Sequence, residues 1–202
     1  MTNPGLLRFY VELMAMYGST FDVDPLYPWA GEILRDPTIR DEVIRIDRLY
    51  AAFLGYLDVV SDPERLAPFQ ALRNLTQVLS EEVPPAELRV EARALETLAR
   101  IYPKRCAYLG EPRLLQLIRR APVEADRNAM ATDQGVVLVT GIMFAMGPGF
   151  ATDPLYPWIQ ITLRDPAIVT PERRAERLKK RIQIYLERAV KYLEGKRADV
   201  VL

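Results

Sequence analysis

Whatever chemistry this chain does, it does without histidine: none of its 202 residues is one. That excludes Ser-His-Asp and Cys-His catalysis, the usual zinc ligand sets and histidine-based pH switching. The single thiol, Cys106, follows Lys104-Arg105, two cations that favour a thiolate. A lone thiol in a helical stretch more often packs than reacts. Serine occurs only at positions 19, 61 and 80, where turns and caps account for it. The carboxylate pairs Asp41-Glu42 and Glu81-Glu82 sit near helix starts, where negative charge favours the dipole. The Glu-x-x-His spacing of di-iron bundles cannot be written. Gly147-Pro148-Gly149 lacks the lysine of a phosphate loop. No catalytic residue, cofactor site or metal ligand set is assigned, and a non-enzymatic protein is expected.

Two features suit binding instead. The only tryptophans belong to the pairs Tyr27/Trp29 and Tyr156/Trp158, which either line aromatic grooves for a ligand or plug the corners between helices. From Pro171 to Arg197 there are ten basic and four acidic residues, a net of +6, in a chain whose total charge is zero. Arg174, Arg177, Arg181 and Arg188 fall on one stripe of that segment. An acidic protein partner could use the face; a solvated helix balanced by the acidic remainder is the plainer alternative.

These residues are held by a recurring unit. Residues 24–39, DPLYPWAGEILRDPTI, recur at 153–168 as DPLYPWIQITLRDPAI, with eleven of sixteen positions identical at an offset of 129. Upstream, Met14, Gly18 and Phe21 recur as Met143, Gly147 and Phe150. Downstream, after an insertion of seven residues, Tyr56-Leu57 is read as recurring at Tyr192-Leu193. The expected layout is a single all-α domain over 1–202, with repeat units 5–60 and 129–195 flanking a helical middle segment 61–128. A weaker third echo around 101–114 keeps Tyr102-Pro103 and Pro112 but has Lys104 in place of tryptophan.

Each unit reads as helix, turn, short helix, long helix. A helix from Leu6 closes at Gly18. Asp24-Pro25-Leu26-Tyr27 suits a type I turn, and Pro28 opens a short helix that Asp36-Pro37 ends. A long helix over 38–60 follows, capped by Asp36, with Ile39, Val43, Ile46, Tyr50, Phe53, Leu57 and Val60 as its apolar seam. Leu178, Ile182, Tyr185, Ala189 and Tyr192 repeat the rhythm after a Thr170-Pro171 start. In the middle segment Ser61-Asp62-Pro63-Glu64 has capping-box form, and Pro84-Pro85 opens a helix that Pro103 stops. Val136–Thr140 looks β-like but aligns with a helix. The uncharged run 134–152 has a helical part of about 14 residues, too short for a ~30 Å hydrocarbon core. It reads as a buried central helix, with Gly141 and Ala145 admitting a close neighbour.

The expected fold is thus an all-α body of eight or nine helices with approximate twofold symmetry between the units. One cysteine allows no internal disulfide, and no signal peptide is visible, so a cytoplasmic location is expected. The repeat leaves no room for a separate helix-turn-helix domain, and nucleic acid is not expected as a partner. The favoured function is a protein–protein interaction module, adaptor- or chaperone-like, that docks a protein partner or forms a homo-oligomer. The alternative is a small-molecule sensor with an apolar pocket near the aromatic corners.

Overall fold

Short polar residues and prolines set the helix boundaries. In the computed structural model, which describes residues 3–62, 67–81 and 90–200, Asn3 caps the first helix by accepting from the amides of Gly5 and Leu6. The helices are α1 (Pro4–Tyr17), α2 (Pro28–Arg35), α3 (Glu42–Val60), α4 (Ala67–Ser80) and α5 (Val90–Ile101). They continue with α6 (Pro103–Arg127), α7 (Asp133–Met146), α8 (Pro157–Leu163) and α9 (Pro171–Val200). Among the described residues there is no strand, and Val136–Thr140 is helical.

Proline opens α1, α2, α6, α8 and α9 as the first helical residue, where its missing N–H costs nothing. Pro63 and Pro84-Pro85 lie outside the described residues. Ser61 ends α3.

The long helix differs from the sequence reading in its start and in its buried face. It starts at Glu42, not near residue 38, because Asp41 rather than Asp36 is its cap and accepts from the Val43 amide at 2.7 Å. Asp36 instead closes a local turn, accepting from the amide and hydroxyl of Thr38. The buried face of α3 is also rotated: Leu49, Phe53, Tyr56 and Val60 are buried, while Val43 and Tyr50 are half exposed. A seam read at alternating spacings of three and four cannot tell which of two adjacent apolar stripes meets the body.

Helix α7 is the centre. Leu138, Val139, Ile142, Met143 and Phe144 are buried, and α5, α6 and α9 pack around it. Gly141 does not admit a close neighbour: a Cβ there would meet nothing within 4 Å. Helix α4 packs on α9, α1 and α2 on α3, and α8 on α9. No described helix is long and apolar enough to cross a membrane.

Candidate functional site

Two corners, each following an apolar helix, carry the aromatic pairs. Gly18 after α1 has φ 93° and ψ 157°, and Gly147 after α7 has φ 90° and ψ 162°. Only glycine adopts that region cheaply. Asp24 and Asp153 each fold the next turn by accepting, through Oδ1, from the amide two residues on, at 2.9 Å. Tyr27 and Tyr156 then enter the short helices with nearly equal backbone angles, φ −128° and ψ 60° against φ −127° and ψ 55°. Beyond the short helices, Arg45 donates to the carbonyls of Ile33, Leu34, Asp36 and Ile39. Arg174 donates to those of Leu163 and Ile168.

The corners also touch each other. The Gly18 backbone lies against the Met146 carbonyl, and the Gly147 backbone against the Tyr17 carbonyl. The Ser19 amide donates to Asp153 Oδ2 at 2.9 Å. The opposite contact is missing. Position 148 is proline, which has no N–H, and Asp24 Oδ2 is buried without a partner. Burial pushes the Asp24 carboxyl up to about 6, against the lowering pull of the Leu26 amide, Arg105 and Arg120.

Downstream, the residue that packs on the second aromatic pair is Tyr185, 129 positions after Tyr56. Tyr185 lies 5.8 Å from the Tyr156 ring and 5.5 Å from Trp158. Tyr56 lies 5.8 Å from Tyr27 and 5.9 Å from Trp29. Tyr192 is exposed.

The corners differ in what surrounds them. Tyr27 is packed by Tyr17 and Tyr56, and by Arg105 from the first turn of α6. Pro103 starts that helix straight after Tyr102, so Lys104 and Arg105 leave it on adjacent sides. Lys104 reaches the Ser61 carbonyl at the end of α3, 2.7 Å away. Arg105 turns inward and is 5% exposed. It donates to the Phe144 carbonyl at 2.7 Å and the Tyr27 hydroxyl at 2.6 Å. Its guanidinium lies 4.8 Å from the Tyr27 ring centroid and 4.7 Å from that of Phe144, so ring faces supply part of its stabilisation. Its Nε is buried without a partner. Among the described residues no carboxylate forms an ion pair with it.

Arg105 borders a cavity of about 220 Å³. Tyr17, Tyr27, Tyr56 and Tyr102 line it on the polar side, and Leu57, Val60, Leu72, Leu75 and Ile101 on the apolar side. Burial raises the phenols of Tyr17, Tyr27 and Tyr56, and that of Tyr102 to about 12. All four therefore stay protonated at neutral pH and can donate. Burial opposes charge on Arg105 and ionised Asp24 favours it, and a guanidinium keeps its proton far above neutral pH, so it stays charged.

Of the candidate site residues named from the sequence (the two aromatic pairs and the four arginines of α9), Tyr27 alone lines this cavity. Trp29 is buried beside it, with Nε1 unpartnered. Tyr156 and Trp158 are half-buried and pack on Tyr185. The four arginines of α9 separate: Arg174 holds the carbonyls above, Arg181 donates to Thr162 Oγ1 at 2.8 Å, and Arg177 and Arg188 are exposed. Cys106 is buried, and its thiol is pushed up to about 11 by burial against the lowering effect of Arg105, so it is no ready nucleophile. Among the described residues, no three Asp, Glu or Cys side chains gather where they could hold a metal ion. Arg105, Tyr17, Tyr56 and Tyr102 went unnoticed as site residues. The one sequence signal near them is the recurrence of Tyr-Pro at 102–103, which marks a helix start but not that Arg105 rather than Lys104 faces inward.

No protein-family model matches the chain, and no curated protein or solved structure proved similar to it.

Proposed function

We propose that this chain is a non-enzymatic protein that binds a small molecule in the cavity beside Arg105. One observation carries the reading: a single space of about 220 Å³ is bordered by four tyrosines and a buried guanidinium that no described carboxylate pairs. Stability alone argues against such an arrangement. Taking a cation out of water is costly, and space left unfilled beside it forgoes packing contacts.

The recurrence of residues 24–39 at 153–168 fits the same proposal. We read 5–60 and 129–195 as two copies of one unit, related by approximate twofold symmetry. The matched angles at Gly18 and Gly147, the matched turns at Asp24 and Asp153, and the reciprocal approach of the corners support it. Binding then belongs to the first corner: Met146 stands where Tyr17 would recur, and among the described residues no cation stacks on Tyr156 as Arg105 does on Tyr27.

Ala145 also borders the cavity. A thermal-shift screen of chemically varied small molecules on wild type and Ala145→Leu tests the assignment, since a ligand of the folded state raises Tm. Compounds should raise Tm for wild type and lose the effect in Ala145→Leu. Equal shifts in both proteins, or none in wild type, would refute it. The adaptor reading keeps one supporting observation, the exposed Arg177 and Arg188 on a helix of net charge +6. A dimer in light scattering that Arg177→Glu/Arg188→Glu abolishes would favour it instead.

A further inference from the structure

We infer that the cavity takes a small organic monoanion, its carboxylate against Arg105 and its apolar body against Leu57, Val60, Leu72 and Leu75; the inference rests on the ligand-binding reading above. Four observations converge on it.

The charge comes first. A guanidinium has five N–H donors; Arg105 uses one on the Phe144 carbonyl and one on the Tyr27 hydroxyl, and its Nε–H has no partner. Both acceptors are neutral, so none of these hydrogen bonds reaches a carboxylate. The Nε–H is closed off from the cavity, so an anion there would meet the terminal N–H donors that the two acceptors leave over, and charged hydrogen bonds in such surroundings are worth more than in water.

The count of charges comes next. Lys104 is engaged at the Ser61 carbonyl, and among the described residues bordering the cavity Arg105 is the one cation. Asp24 is buried nearby and acts on Arg105 without pairing with it. Asp24 already sets one negative charge near Arg105 when ionised, so a monoanion gains through direct hydrogen bonds to the guanidinium and phenols, and a dianion such as a phosphate monoester would meet the Asp24 repulsion twice over. One negative charge fits.

Third, the phenols are protonated and can donate to a carboxylate oxygen, whereas a cationic ligand would meet Arg105 unscreened. Fourth, the volume sets the size. An apolar cavity of ~150 Å³ holds a benzene molecule, so about 220 Å³ holds roughly nine non-hydrogen atoms. Benzoate has that size.

The test compares matched probes on the full chain by calorimetry at neutral pH: benzoate with benzamide, and hexanoate with hexanamide. A carboxylate should bind about tenfold or more tightly than its amide, the advantage expected of a charged over a neutral hydrogen bond. Arg105→Lys, which keeps the charge but loses the planar fork, should retain part of the preference, and Arg105→Met should lose it. Wild type alone decides if the Arg105→Met protein does not fold. Equal binding of acid and amide would overturn the anion assignment and leave the cavity reading standing. Binding of neither acid would also overturn it, while the screen with Ala145→Leu judges the cavity separately. Acid binding that survives in folded Arg105→Met, or in Ala145→Leu, would place the anion elsewhere and overturn it too.

Discussion

Pro148→Ser should stabilise the protein at neutral pH, although it replaces a proline in a tight turn. Asp24 and Asp153 do the same work in their own turns, yet only Asp153 has a donor for its second oxygen, the amide of Ser19 at 2.9 Å. At the matching position proline has no N–H, and Asp24 Oδ2 is buried alone. The Asp24 carboxyl accordingly rises from its ordinary 3.8 to about 6. For an acid raised in the folded state, the stabilising contribution is complete below the unfolded value and is lost as pH rises through the folded one. From about pH 4 to pH 6, Asp24 therefore removes about 3 kcal/mol of stability, net of the attraction of Arg105. A serine amide at position 148 would supply a charged hydrogen bond worth about 1.5–3 kcal/mol. Losing proline's restriction of the unfolded chain costs about 0.4–1 kcal/mol in return. The balance is a gain of about 1–2 kcal/mol above pH 7 and a small loss below pH 4. Urea unfolding of both proteins at pH 4, 5, 6, 7 and 8 measures it. If the two stability curves run parallel across that range, the missing donor does not govern Asp24, and the argument fails.

Three further outcomes follow from the packing. Gly147→Ala should cost about 1–3 kcal/mol for its backbone region alone. Gly18→Ala should cost clearly more, since its Cβ would lie 2.5 Å from the Met146 carbonyl, whereas at Gly147 the Tyr17 carbonyl is 3.4 Å away; thermal unfolding of the pair measures the difference. Gly141→Ala should raise stability by up to about 1 kcal/mol, because the site is helical and a Cβ meets nothing within 4 Å. Arg177→Glu should leave denaturant midpoints nearly unchanged, whereas Arg174→Glu should lower stability by about 2–5 kcal/mol by setting a carboxylate among the carbonyls it now satisfies.

Much of the local structure could be read directly from residue order. Pro28, Pro157 and Pro171 mark helix starts because proline fixes φ and needs no donor there, whereas Pro103 reads only as a stop and also opens α6. The Gly18 and Gly147 stops and the turns at Asp24 and Asp153 follow equally from backbone rules. Such signals act within four residues, so they survive without knowledge of the fold. The offset of 129 also lies open in the sequence, but its register beyond Asp36 does not. Tyr192 matched in letter, while Tyr185 is the residue that packs on Trp158.

Tertiary structure decided which surfaces face each other, and that decision created the candidate site. Nothing near Arg105 in sequence distinguishes it from Lys104, yet one guanidinium is buried between Tyr27 and Phe144 and the neighbouring ammonium reaches a helix end. The cavity exists because the ends of α1, α3, α5 and α7 meet there with α4 and the start of α6. Volume left between separately determined helices is a property of their arrangement, not of any one segment. Asp24 and Asp153 show the same principle in reverse: both carboxylates are prescribed by their own turns, but whether each finds a second donor depends on a residue of the opposite corner, a serine in one case and a proline in the other. Local chemistry chose the turns; contact between distant segments chose which charge was left unsatisfied.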